Sequence, residues 1–339
     1  YYDQEAGITD VVIPSEINGY AVTRIGEYAF QGKNITSLEI PDSVTEIETY
    51  AFSKNKLTSV DIPDSVTKIG EAAFWENKLS SVNISDSVTE ISPNIFRNNN
   101  LTSIEIPDGV TKIGKDAFYK NKLSSVKIPD SVTEIDEYAF QENNLTSVQI
   151  PDSVSKIGEY AFSKNKLTSV ELPDSIDKIS EGLFWENNLS SAKLPDAVTE
   201  IRGFAFEDNS LTSIEIPDGV IIIGESAFLG NDLTSLEIPD GVAEIGYSAF
   251  RLNKLESVEM PDTVTKIGEH AFQKNNLTSI EIPDSVTEIG KFAFQLNELK
   301  SVKLSDGLTE ITTYAFAKND INSVTIPDGV TKIGQGAFS

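Results

Sequence analysis

The chain has 339 residues, 39% of them apolar, and a formal net charge of −26. That charge turns it away from nucleic acids and anionic membrane surfaces, both of which need a basic face. The absence of cysteine excludes disulfide staples and thiolate chemistry, and no stretch approaches the roughly 18 consecutive apolar residues of a membrane span. The chain opens on YYDQEAG, with neither Met nor a basic and apolar leader, and stops at Ser339, partway through a repeat. The expectation is a piece cut from a longer protein, with any signal or wall anchor lying elsewhere.

From Ile35 onward, Leu or Ile recurs every 22 residues as far as Ile321, fourteen times without an insertion. Strict periodicity of this kind marks a solenoid or array. Residues 35–339 therefore read as fourteen copies of one unit, the last incomplete. Numbering each copy from that Leu or Ile, the apolar positions are 1, 4, 6, 10, 13, 17 and 18; in the copy 57–78 they are Leu57, Val60, Ile62, Val66, Ile69, Ala73 and Phe74. Positions 4 and 6 are β-branched and alternate with polar neighbours, as in a half-buried strand. Pro63, Asp64 and Ser65 then preset a turn. A second extended segment, VTKI, leads into GEAAF, which is too short for a helix and is expected to form a single helical or 3-10 turn. Asn77 closes the unit. One copy buries too little apolar surface to offset its own ordering, so stability must come from stacking on neighbours.

The motif L-x-x-V-x-I-P-x-x-V-x-x-I-G-x-x-A-F resembles the BspA-type leucine-rich repeat over nearly the whole chain. Phe holds position 18 and Ile position 13 of every copy, and Pro holds position 7 of all but two, where Ser85 and Ser305 stand. The opening IPSEINGYAVTRIGEYAF resembles the family's first repeat, which carries a few extra residues, here between Pro14 and Ile25; residues 1–34 are read as that atypical repeat. The resemblance implies a leucine-rich-repeat solenoid, a right-handed curved superhelix of about 14 to 15 coils, mostly β with short 3-10 or helical turns and a parallel sheet on its concave face. It also implies a bacterial surface protein that binds host matrix proteins or other cells, located outside the cell. The family commonly has Cys three residues after the Phe, where this chain has Asn55, Asn77, Asn99 and their equivalents. A buried Asn needs partners where a Cys does not, so these side chains are expected to bond to loop backbone as a ladder.

With positions 4 and 6 inward, positions 3 and 5 point outward. Position 3 is Ser in all fourteen copies, and position 5 is acidic in eight: Glu39, Asp61, Glu105, Glu171, Glu215, Glu237, Glu259 and Glu281. Like charges on neighbouring strands are unfavourable. Solubility is the plain explanation, a surface for a basic partner the functional one, and a cation site a third. Position 8 is Asp in every copy and reads as turn chemistry; one Asp per coil supplies too few oxygens for a calcium ladder. Position 12 alternates, running Glu46, Lys68, Glu90, Lys112, Glu134, Lys156, and is expected to set the register between coils.

Aromatic residues occupy variable positions 16 and 19. Trp75, Tyr119 and Trp185 are alternative contacts for a sugar or protein, against the plainer reading that they cover grooves between coils. Ile221, Ile222 and Leu229 break the polar pattern within one repeat and are candidates for a small apolar contact patch. Catalysis finds little support, since His270 is the only imidazole and there is no cysteine. No catalytic or metal-binding residue is proposed, and no cofactor. The expected function is a non-enzymatic, monomeric recognition or adhesion region that presents its Ser/Glu face to a protein partner. A carbohydrate-binding or accessory region of a secreted enzyme and a passive surface stalk are the rivals.

Overall fold

The computed structural model describes residues 9–339. The chain divides into two compact units, the first ending at Leu167 and the second beginning at Thr168. Each is a parallel β-solenoid of leucine-rich-repeat type in which one 22-residue copy makes one coil. Strands of neighbouring coils pair at a constant offset of one period, for example Lys112↔Glu134 in the first unit and Ile245↔Ile267 in the second.

Many coils carry a three-residue strand at positions 3–5, the first strip, and every coil carries a two-residue strand at positions 12–13, the second strip. At positions 3–5 the copies starting at residues 101, 123, 145 and 321 have only isolated bridges, and the copy starting at 211 has none. The sheet expected on the first strip is fragmentary. In the first unit it pairs Asp10–Val12 with Ser37–Glu39 and Ser59–Asp61 with Ser81–Asn83. In the second it pairs Ser169–Glu171 with Ser191–Lys193, Ser235–Glu237 with Ser257–Glu259, and Ser279–Glu281 with Ser301–Lys303. Proline at position 7 has no N–H to donate, so the ladder ends there. The second strip is more continuous, with three and four strands in the first unit and a six-stranded run from Lys178–Ile179 to Glu288–Ile289 in the second.

The third side, positions 14–20, corrects one expectation. Among the described residues no helical or 3-10 turn forms there. Instead, consecutive tight turns alternate with bonds to the next coil. Ala51 and Ser53 donate back to the Glu48 and Tyr50 carbonyls at 3.2 and 3.1 Å, while Tyr50, Phe52 and Lys54 donate forward to Glu71, Ala73 and Trp75 at 2.9, 2.9 and 2.7 Å. Forward donation requires the residues at positions 16 and 20 to adopt positive φ, as Tyr50 (56°) and Lys54 (57°) do. A helix would turn those N–H groups inward along its own axis and leave the next coil's carbonyls without donors.

The core is a stack of identical layers. Phenylalanines at position 18 from Phe52 to Phe316 are fully buried and stack on one another, Phe118 on Phe140 at 5.3 Å and Phe228 on Phe250 at 5.4 Å between centroids. Asparagines at position 21 form the expected ladder. Asn143 donates to the Phe118 and Phe140 carbonyls at 2.9 and 3.1 Å and accepts from the Leu123 N–H at 3.0 Å. The extra residues of the first repeat form an antiparallel hairpin, Glu16–Ile17 against Tyr20–Ala21. Its two-residue turn is Asn18-Gly19, both with positive φ, the sequence such hairpins favour.

Candidate recognition face

The eight acidic residues of position 5 are all exposed, because their strips alternate inward and outward side chains. They do not form one equivalent column. In the first unit, Asp61 accepts from Asn83 Nδ2 at 2.9 Å, and a shallow depression brings Glu39, Asp42, Asp61 and Asp64 to one edge. Glu105 lies in register with Lys127, whose ammonium also reaches Asp108 at 3.7 Å. In the second unit, Glu171 pairs with Lys193 and Glu281 with Lys303 on the following coil. Each carboxylate holds its lysine above the usual ammonium value.

Among the described residues Glu39, Asp61 and Glu105 of the first unit have no ion pair of their own, nor do Glu215, Glu237 and Glu259 of the second, where Glu237 lies directly in register with Glu259. Two carboxylates on facing strand positions repel one another. Among the described residues no three acidic or imidazole groups converge in a way that would hold a metal ion.

The aromatic candidates lie elsewhere. Trp75, Tyr119 and Trp185 occupy position 19 on the third side and are half-buried. Trp75 packs edge-on to Tyr50 at 5.9 Å, with the Lys54 ammonium 4.7 Å from its ring centre. Tyr119 has the Arg97 guanidinium at 4.8 Å and the Lys120 ammonium at 5.1 Å, and its hydroxyl donates to Glu142 at 3.0 Å. In the first unit these rings are therefore engaged with cations of their own chain.

Position 12 carries the ion-pair ladder expected of it. Glu46 sits between Arg24 at 2.9 Å and Lys68 at 2.8 Å. In the same way Glu134 lies between Lys156 and Lys112, the latter at 3.1 Å. Hydrogen bonds from Lys68 and Lys156 are the main cause holding these two carboxyls below the usual range. In the second unit Lys178 bonds Glu200 at 2.7 Å and Lys266 bonds Glu244 at 2.8 Å, but the seat between those two glutamates is Ile222.

Two features were not anticipated. His270 belongs to an aromatic row, stacked on Phe292 at 4.8 Å, with Tyr247 edge-on at 5.6 Å and Tyr314 beyond Phe292 at 5.4 Å. Reading position 16 across successive copies, where 270, 292 and 314 fall one period apart, would have found it. The other is Glu207, whose carboxyl is pushed up to about 7, chiefly by burial and further by Asp208, Glu186 and Glu225. Its signal was also present, since its neighbours at position 19 are Trp185 and Leu229.

A family model described as BspA type leucine rich repeat region matches residues 23–146, 111–234 and 221–339. The chain is similar to the solved structure of a leucine rich cell surface protein from Faecalibacterium prausnitzii A2-165, with 30% identity over 87% of each chain and a TM-score of 0.60. It is similar in fold to a leucine-rich repeat protein from Bacteroides ovatus ATCC 8483, with 24% identity over 97% of this chain and 84% of that one and a TM-score of 0.59. YopM from Yersinia pestis shares the fold at 18% identity, over 97% of this chain and 86% of that one, with a TM-score of 0.50. No curated protein matches the chain significantly.

Proposed function

Because this chain belongs to the BspA-type leucine-rich-repeat family, we propose that it is a non-enzymatic recognition region on the outside of a bacterial cell, holding a basic protein partner on its exposed Ser/Glu strip. The observation that carries this reading is the unneutralised run Glu215, Glu237 and Glu259, with Glu237 and Glu259 facing each other across a strand pair. Such a run works against stability, and a cationic partner would relieve it. Surface location draws support from the similarity to the F. prausnitzii cell surface protein. The partner class is a host matrix or cell-surface protein, and the reading takes the chain as a monomer whose repeats, residues 35–339, follow the atypical first repeat in residues 1–34.

The test is to immobilise the chain and measure binding to matrix proteins and polysaccharides at low and high salt. Saturable, salt-sensitive binding to a basic protein, lost when Glu215, Glu237, Glu259 and Glu281 are all replaced by Ser, is the expected result. Binding to nothing would overturn it in favour of a passive stalk. Salt-insensitive binding to a glycan, lost in Trp75→Ala or Trp185→Ala, would move the site to the aromatic residues.

A further inference from the structure

The chain between Gly203 and Phe250 contains nine acidic residues and no Lys, Arg or His. Lysines of later coils reach into it at two points only among the described residues, Lys254 to Asp232 at 2.7 Å and Lys266 to Glu244 at 2.8 Å. Within this anionic stretch Ile221 and Ile222 are 52% and 47% exposed. Ile222 stands on the second strip in register with Glu200 and Glu244, the seat where the alternation would place a lysine. Ile221 stands where neighbouring copies have Thr199, Ala243 and Thr265, and beside it on the next coil lies Gly241, which has no side chain to cover it. A pair of exposed isoleucines therefore replaces a polar seat within a stretch of chain that has no basic residue of its own.

We infer that Ile221 and Ile222 are the apolar anchor of a docking site for an amphipathic cationic segment, one that lays an aliphatic or aromatic side chain on the two isoleucines and Lys or Arg on either side. The occupant is chosen by charge. Another copy of this chain would bring its own −26 charge to the contact. A purely apolar partner would leave Asp218 and Asp240, which have no ion pair among the described residues, uncompensated, whereas Glu200 and Glu244 are already met by Lys178, Arg202 and Lys266. A segment with basic residues about one coil apart meets Asp218 and Asp240, one period apart beside the isoleucines, since coils repeat at about 4.8 Å. The inference rests on the protein-recognition reading above and gives it a second, apolar contact on a different strip from Glu237 and Glu259.

The probe is a fluorescein-labelled peptide of alternating Lys and Leu, compared by anisotropy with an oligolysine of equal charge. The expected result is that the Lys/Leu peptide binds the intact chain more tightly than oligolysine. Its binding should weaken about tenfold or more in the Ile221→Thr, Ile222→Thr double variant, as loss of two apolar contacts requires. That variant leaves the net charge unchanged and, at residue 221, installs the residue that the preceding copy has as Thr199. A second variant, Ile222→Lys, restores the alternating ladder between Glu200 and Glu244, so its fold is maintained or strengthened while the anchor is removed. Equal binding of the two peptides, or binding unaffected by either variant, would overturn the inference. So would concentration-dependent self-association that the variants abolish. Loss of peptide binding in the isoleucine variants with matrix-protein binding retained, or the reverse in the position 5 variants, separates failure of this site from failure of the proposed function.

Discussion

Replacing Asn143 by alanine strips four hydrogen bonds from a side chain that is only 7% exposed, leaving the Phe118, Phe140 and Gln141 carbonyls and the Leu123 N–H without that partner. Orphaning buried backbone groups costs about 1–3 kcal/mol each before relaxation. Urea unfolding of Asn143→Ala should therefore show a loss of about 2–3 kcal/mol. Lys274 presents the opposite case. Its φ is +59° and it is exposed, while Gly32 and Gly230 hold the equivalent place in other coils. Lys274→Gly should raise stability by up to about 1 kcal/mol by removing the left-handed penalty, and Lys274→Val should lower it by at least as much. Glu207 supplies a pH dependence. Its folded value near 7 lies above the ordinary 4.5, so the folded state holds its proton more tightly than the unfolded one. The fold is accordingly penalised above pH 7, and that penalty fades as pH falls toward 4.5. Glu207→Gln should stabilise the chain at pH 8, by about 1 kcal/mol once screening of a half-exposed group is allowed for, and leave stability at pH 4.5 nearly unchanged. Thermal melts at the two pH values check both signs.

At the scale of the element, close approach between coils decides which residues are allowed. A Cβ on Gly70 would lie 2.4 Å from the Thr49 nitrogen, inside any tolerable contact. Gly70→Ala should cost about 2 kcal/mol or more, measurable as a lowered urea midpoint with little change in m. The strips and the core were legible in the sequence because each column carries one chemistry: Ile at 13, Phe at 18, Asn at 21. Even the asparagine ladder could be foreseen, since a buried amide must find partners. The third side was not legible. Position 16 holds Tyr, Phe, Ala, Asn, Asp, Ser, His and Gly, and position 20 holds Lys, Glu, Asn, Asp, Leu and Gly, yet all take positive φ. Glycine marks only a few of these turns, Gly182, Gly230 and Gly336 among them, because the bonds to the next coil impose the backbone conformation against local preference elsewhere. The fragmentary sheet at positions 3–5 was hidden for a related reason, since strand-like alternation reports burial and not whether neighbouring strands meet.

At the scale of the whole molecule, equivalence between copies makes the exceptions informative. Glu39 through Glu281 share one position in the repeat, and that likeness suggested one Ser/Glu face. Only the placement of Lys193 and Lys303 showed which carboxylates are already met and which are not. Ile222 stood out in the sequence, but its setting between Glu200 and Glu244 became evident only with the coils in register. Stability in a repeat array accrues between nearest neighbours, so shortening the chain by whole coils is a direct probe of the position 12 ladder. Removing residues 57–78 sets Glu46 against Glu90, whereas removing residues 57–100 sets Glu46 against Lys112. The single deletion should carry an extra penalty of about 1 kcal/mol over the loss of one coil, and that penalty should vanish in high salt.

The same ladder has a consequence for heredity. A gene that encodes nearly identical tandem copies is prone to slip during replication, gaining or losing whole repeats while keeping the reading frame. Throughout the first unit, from Arg24 to Lys156, the charges alternate without a break. A change by an odd number of copies brings like charges together, and a change by an even number leaves every opposite pair intact. The alternation is in effect a parity check written into the protein, and it predicts that natural length variants of this tract differ by two copies more often than by one.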